Sequence, residues 1–130
     1  MSMISLHNPF TLKSLLERYE HHRPSLLLIR SESCPPCVEL HPQLETLAGQ
    51  WPRVDFYEFN VDTCADPQQD FELTQLFQWW GVKYLPSQIF LATGLTPDII
   101  STRRLDVIER KLHALSRPAA DLTPPGIQPR

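Results

Sequence analysis

The amino-acid sequence predicts one α/β domain with the element order βαβαβαββα, and three features carry that reading. The apolar run Ser25–Arg30 lies between Pro24 and the polar Ser31-Glu32-Ser33. It is too short for a helix and reads as a strand buried on both faces. Asn8-Pro9 and Asp66-Pro67 each supply a capping side chain followed by a proline suited to the first helical turn. Near the end of the chain Leu105, Ile108, Leu112 and Leu115 repeat at helical spacing.

The elements follow in order. Met3–Leu6 is expected as a short opening strand. The first helix is expected over Pro9–His22, with Leu12, Leu15, Leu16 and Tyr19 on its buried stripe, Arg18, Glu20 and His21 in water, and Arg23-Pro24 ending it. After the strand Ser25–Arg30, the positions of Val38, Leu40, Leu44, Leu47 and Ala48 predict a helix over Pro35–Gly49. Pro42 interrupts it by removing one backbone hydrogen bond. Arg53–Val61 is rich in aromatic and β-branched residues and reads as a second core strand. The helix opened by Asp66-Pro67 is expected to carry Phe71, Leu73, Leu76, Phe77 and Trp80 on one side and to stop at Gly81. Ser87–Ala92 and Asp98–Thr102 are strand-like runs joined by a hairpin connection, Thr93-Gly94-Leu95-Thr96-Pro97, and Leu105–Leu115 is the last helix. Strands separated by helices are expected to pair in parallel, and the final hairpin to add antiparallel strands. Residues 1–116 make the domain. The tail 117–130 holds four of the 13 prolines and little to bury, so disorder is expected there.

Composition narrows the function classes. The 130 residues are 42% hydrophobic and 21% charged, which suits one globular domain rather than a disordered or fibrous chain. A net charge of −3 gives no electrostatic footprint for nucleic acid. The longest purely apolar run, Leu26-Leu27-Leu28-Ile29, falls far short of the roughly 20 residues of a membrane-spanning helix, so no membrane partner is expected. Met1–Thr11 lacks Lys, Arg and an apolar run of signal length, which points to the cytoplasm.

Three cysteines are too few for a disulfide-stapled scaffold, and Cys34-Pro35-Pro36-Cys37 has the spacing of redox or metal chemistry. Cys34 falls where a buried strand hands over to a helix. The free N–H groups and the positive end of the helix dipole favour its thiolate there, which is the form that attacks disulfides. Cys37 lies one turn further in. It is placed to attack a mixed disulfide on Cys34, releasing the reduced product and leaving a Cys34–Cys37 bond. Cys64 has no fourth cysteine to pair with inside the chain; it reads as a free thiol without a role, with a regulatory or intermolecular thiol as the alternative. A zinc set of Cys34, Cys37, His41 and Cys64 is the metal alternative, and the prolines between the cysteines argue against it.

The order of elements, Cys34-Pro35-Pro36-Cys37, Pro42 and Leu85-Pro86 ahead of a strand together resemble the thioredoxin family over Met3–Ser116. The resemblance implies the thioredoxin fold, a central mixed β-sheet flanked by helices. It also implies a thiol–disulfide oxidoreductase that reduces disulfides in partner proteins, with no cofactor beyond the redox pair and a thioredoxin reductase as electron donor. In that family the proline before the fourth strand is cis and lies beside the cysteines. Pro86 takes that place, and the backbone of Leu85 pairs with an extended substrate segment. Pro35, Pro36 and Tyr84 then border the substrate, with Arg103 and Arg104 nearby.

The chain also departs from the family pattern. Ser33 stands where thioredoxins usually carry tryptophan, and Leu28 where they carry a buried aspartate thought to help deprotonate the resolving cysteine. Glu58, where a lysine is common, is the candidate to take over proton transfer; the plainer reading is an outward strand carboxylate. The longer connection between Asp62 and Gly81 is a candidate recognition element. Two other functions stay open. One is a non-catalytic thioredoxin-fold binding module or chaperone, and the other is an oxidase or isomerase running the same chemistry in reverse.

Overall fold

In the computed structural model, residues 3–18, 20–64 and 66–116 are described. Their elements are β1 (Ile4–Leu6), α1 (Pro9–Glu17), β2 (Ser25–Arg30), α2 (Pro35–Gln50), β3 (Asp55–Asn60), a short 3-10 turn (Val61–Thr63), α3 (Pro67–Trp80), β4 (Ser87–Leu91), β5 (Asp98–Ile100) and α4 (Leu105–Leu115). This is the predicted order. The tail 117–130 and Tyr19 lie outside the described residues.

The five strands form one sheet in the order β1-β3-β2-β4-β5. β3 pairs in parallel with both β1 and β2, whereas β4 pairs antiparallel with β2 and β5. β2 therefore sits at the centre, and its apolar run is buried on both faces as expected. Strand alternation sends Leu26 and Leu28 to one face, where they meet Leu40, Leu44 and Leu47 of α2 and Ile108 and Leu112 of α4. Leu27 and Ile29 go to the other, against Leu12, Leu15 and Leu16 of α1 and Leu73 and Leu76 of α3. Each such buried leucine contributes about 1.5–3 kcal/mol relative to exposure.

The helix starts follow the sequence signals. Asn8 Oδ1 accepts a hydrogen bond from Thr11 N at 2.9 Å, and Asp66 Oδ1 one from Gln68 N at 2.8 Å. Gly81 ends α3 with φ +77°, in the left-handed region that glycine adopts without penalty. Three expectations need correcting. α1 stops at Glu17 instead of reaching His22: beyond Leu16 the described residues up to Arg23 are polar, with no stripe left to bury. There the backbone of His21 instead exchanges hydrogen bonds with the Thr93 hydroxyl at 2.9 and 3.0 Å. Phe71 is 60% exposed, because two residues before Leu73 is about 200° around the helix, on the far side from the core stripe. β5 ends at Ile100 instead of Thr102, since the buried Gln88 side chain takes over the pairing. Its Nε2 donates to Thr102 O at 2.8 Å and its Oε1 accepts from Thr102 N at 3.2 Å.

Candidate functional site

The end of β2 and the start of α2 place the cysteine pair just beyond the C-terminal end of the central strand. Cys34 is the N-cap of α2 with an extended backbone, and its Sγ accepts from Cys37 N at 3.4 Å. Cys34 and Cys37 are joined as a disulfide, with their Cα atoms 5.2 Å apart. Cys34 is part-exposed and Cys37 fully buried, so only one sulfur faces an incoming partner. Pro35 and Pro36 fill the first turn, where their missing N–H groups leave no helical bond broken.

The loop before Cys34 is tied to the end of β3. Asp62 accepts from the Ser31 hydroxyl at 2.8 and 3.0 Å and from Glu32 N at 2.8 Å. Ser31 Oγ also accepts from Ser33 N at 3.1 Å, and the two serine hydroxyls lie 2.9 Å apart. Ser33, Ser31 and Asp62 thus make a polar latch directly ahead of Cys34.

Leu85-Pro86 is a cis peptide bond, as the resemblance implied. Pro86 is buried, and Ser87 Oγ bonds the carbonyl of Tyr84 and lies 2.8 Å from Ser101 Oγ. Pro36, Tyr84, Leu85, Pro86, Ser101, Thr102 and Arg103 line one groove with a cavity volume of about 320 Å³. Of the predicted substrate-binding residues, Pro36, Tyr84, Leu85 and Pro86 therefore come together, with Arg103. Pro35 is exposed next to Cys34, outside that lining. Tyr84 is 69% exposed and presents its ring to solvent.

Glu58 does not face outward. It is buried, and its carboxylate is shared between two cations or donors from different elements. Oε1 accepts from Arg30 Nε at 3.2 Å and Nη2 at 2.8 Å, and Oε2 lies 2.6 Å from His41 Nε2. Burial pushes the carboxyl upward, but the hydrogen bonds from His41 and Arg30 outweigh it and hold the group below its ordinary value. His41 Nε2 also lies 3.3 Å from Glu45 Oε1. Sequence reasoning weighed His41 only as a zinc ligand and did not foresee Arg30 at all. The available signal was its helical register, four residues after Cys37. His41, Glu45 and Glu58 form a cluster of metal-ligand types, in which Arg30 pairs with Glu58 Oε1 while Oε2 faces His41.

Cys64 is a free thiol buried against the α1–α3 layer. Desolvation and the nearby Asp70 charge push its thiol up, against a hydrogen bond from Thr63. The two tryptophans that end α3 differ: Trp80 packs at the core margin, and Trp79 is 81% exposed.

No protein-family model matches the chain. Thioredoxin H8 of Arabidopsis thaliana is 31% identical over 80 residues, covering 62% of this chain and 48% of that protein. A thioredoxin H-type of Picea mariana is 30% identical over 86 residues, covering 66% of this chain and 62% of that protein. The matched stretch thus spans between about half and three-fifths of these curated relatives. Among solved structures, oxidised thioredoxin O2 of Arabidopsis thaliana aligns with TM-score 0.71 at 19% identity, over 89% of this chain and 96% of its own. Fasciola hepatica thioredoxin aligns with TM-score 0.68 at 21% identity, over 88% of this chain and 100% of its own. At such identities the shared feature is the architecture.

Proposed function

We propose, for a chain homologous to thioredoxins and built on the thioredoxin fold, that it is a thiol–disulfide oxidoreductase reducing disulfides in partner proteins. The observation that carries this reading is the asymmetry of the pair, with Cys34 accessible at a helix start and Cys37 sealed one turn behind it. Cys34 attacks a substrate disulfide as the thiolate, and its sulfur bonds to one substrate sulfur while the other leaves. Cys37 then attacks Cys34 Sγ and the second substrate thiol departs. Two electrons pass from the dithiol to the substrate, and the cysteine pair is the only redox group the cycle needs.

The groove of Pro36, Tyr84, Leu85 and Pro86, with Pro35 at its Cys34 end, takes the substrate as an extended segment. A backbone segment laid along Leu85 finds main-chain groups to pair with, as in strand addition to a sheet edge. Glu58 serves proton transfer to and from Cys37 through the polar cluster it anchors. A thioredoxin reductase is the electron donor. The cytoplasm, where thiols are kept reduced, is the compartment that suits a reductase. No helix among the described residues is long and apolar enough to cross a membrane.

The test is insulin reduction with NADPH and a thioredoxin reductase. Sustained turnover that disappears in Cys34→Ser supports the reading. A chain that gives no turnover, but whose Cys34→Ser, Cys37→Ser double variant still binds partners, is a binding module instead.

A further inference from the structure

Resting on the dithiol cycle above, we infer that His41 is the group that takes the proton from Cys37 when that thiol resolves the mixed disulfide. Cys37 is 0% exposed, so its proton leaves through protein groups and not directly into water. His41 stands four residues later on α2. Side chains at that spacing share a helix face, about 5–6 Å apart at Cβ, and lean toward the helix N-terminus. The imidazole therefore covers the turn that carries Cys37. Its side chain keeps 24% of its surface open to solvent, which joins the sealed thiol to water.

The ring's hydrogen bonds define its role. Both carboxylate contacts run through Nε2, to Glu58 at 2.6 Å and Glu45 at 3.3 Å. With Glu58 ionised, Nε2–H donates to it, which fixes the tautomer and leaves the Nδ1 lone pair as the proton acceptor. The imidazolium formed on proton uptake then faces two carboxylates. Glu58 itself is a poor base, because His41 and Arg30 hold its carboxyl below its ordinary value. Glu58 and Arg30 are accordingly positioning residues for His41. The charged groups around the ring are Glu45 on its own helix, Glu58 on β3 and, through Glu58, Arg30 on β2. On α4, which also packs on α2, Asp106 is engaged by Arg104, Lys111 by Asp98, and His113 lies edge-on to Trp51.

The step balances without a further reagent. The Cys37 S–H proton moves to His41 Nδ1, and the Cys37 sulfur bonds Cys34 Sγ. The Cys34–substrate S–S bond breaks, and the departing thiolate takes up one proton, from His41 or from water.

The experiment uses the reduced full chain, in a Cys64→Ser background, mixed with one equivalent of a chromogenic aryl disulfide. One aryl thiolate appears when Cys34 attacks and a second when Cys37 resolves. His41→Ala and His41→Gln should slow the second release about tenfold or more at neutral pH, within the range of general base catalysis, and leave the first unchanged. The pH profile of the second release should differ between the wild type and the variants, in which it should climb through the thiol range. Glutamine keeps a donor toward Glu58 and guards against loss of folding. The role is overturned if the second release is unchanged, if both releases slow alike, or if the second slows with its pH profile intact. A wild-type chain that releases no aryl thiolate at all removes the oxidoreductase reading, and this role with it.

Discussion

Leu28 and Glu58 stand side by side in the parallel register of β2 and β3, and both point to the face covered by α2. Leu28 is 0% exposed, so the place beside the carboxylate is filled by hydrocarbon. Leu28→Asp sets a second carboxyl against one already ionised, with no cation of its own. The lost leucine contacts alone cost about 2–5 kcal/mol. The new carboxyl's folded pKa is raised by burial and by Glu58, so the penalty is small at acidic pH and grows as pH rises above the unfolded carboxyl value. Urea unfolding at pH 4.5 and pH 8 checks this. A variant as stable as the wild type at pH 8 contradicts it.

Glu58 makes stability depend on pH in the opposite sense. Its folded pKa is depressed, so its contribution is complete above the unfolded carboxyl value of about 4.3 and is lost as pH falls through the folded one. Glu58→Gln should flatten the acid side of the stability profile. Glu58→Ala should cost about 3 kcal/mol or more at neutral pH, because it strands the largely buried Arg30 guanidinium without its partner. Denaturation midpoints for the three proteins between pH 3 and pH 7 supply the comparison.

Cys34 should be the first thiol alkylated after reduction. It caps α2 and is part-exposed, whereas Cys37 and Cys64 are buried. Peptide mass mapping after limiting iodoacetamide reads the order directly, and modification of Cys37 ahead of Cys34 reverses the assigned roles.

Tyr84 should matter to peptides and not to small disulfides. Its exposed ring borders the groove but makes no part of the cysteine turn. Tyr84→Ala should raise KM for a disulfide peptide about fivefold, the scale of an aromatic contact of roughly 1 kcal/mol. The rate with a small aryl disulfide should stay as it is. Equal losses for both would place the ring in the chemistry instead.

Asp62→Ala should loosen the loop that delivers Cys34. Ser31 and the Glu32 amide lose their shared acceptor; the exposed amide turns to water, and loss of the charged acceptor at the part-buried Ser31 hydroxyl costs about 1–3 kcal/mol. Faster amide exchange at residues 31–34, with α4 unaffected, is the expected signature.

The elements were legible in the sequence because local rules and burial agreed in most of them. Asn8-Pro9, Asp66-Pro67 and Gly81 mark helix ends by backbone chemistry, and the run at Leu26–Ile29 admits little but a central strand. The cysteine turn and the cis Leu85-Pro86 bond were accessible through the family resemblance. What escaped depends on contacts between distant segments. Arg30, His41 and Glu58 come from β2, α2 and β3, and no spacing rule joins residues 28 positions apart. The His21–Thr93 bonds that accompany the early end of α1 span 72 positions. Gln88 substituting for a backbone rung likewise requires the strand pairing to be known first.

The burial of Cys64 gives the molecule an internal reference for counting its own oxidation state. Reduced, the chain holds three thiols; with the Cys34–Cys37 bond closed it holds one, and that one lies inside the α1–α3 layer. In denaturant the titratable sulfhydryls should therefore fall from three to one when the Cys34–Cys37 bond closes. Native alkylation of the reduced chain should register Cys34 alone, since Cys37 and Cys64 are both buried. Stored reducing power thus moves in a single two-electron unit. A reading of two thiols in the unfolded chain marks a mixed disulfide still held on Cys34, with Cys37 and Cys64 free, or damage at one sulfur.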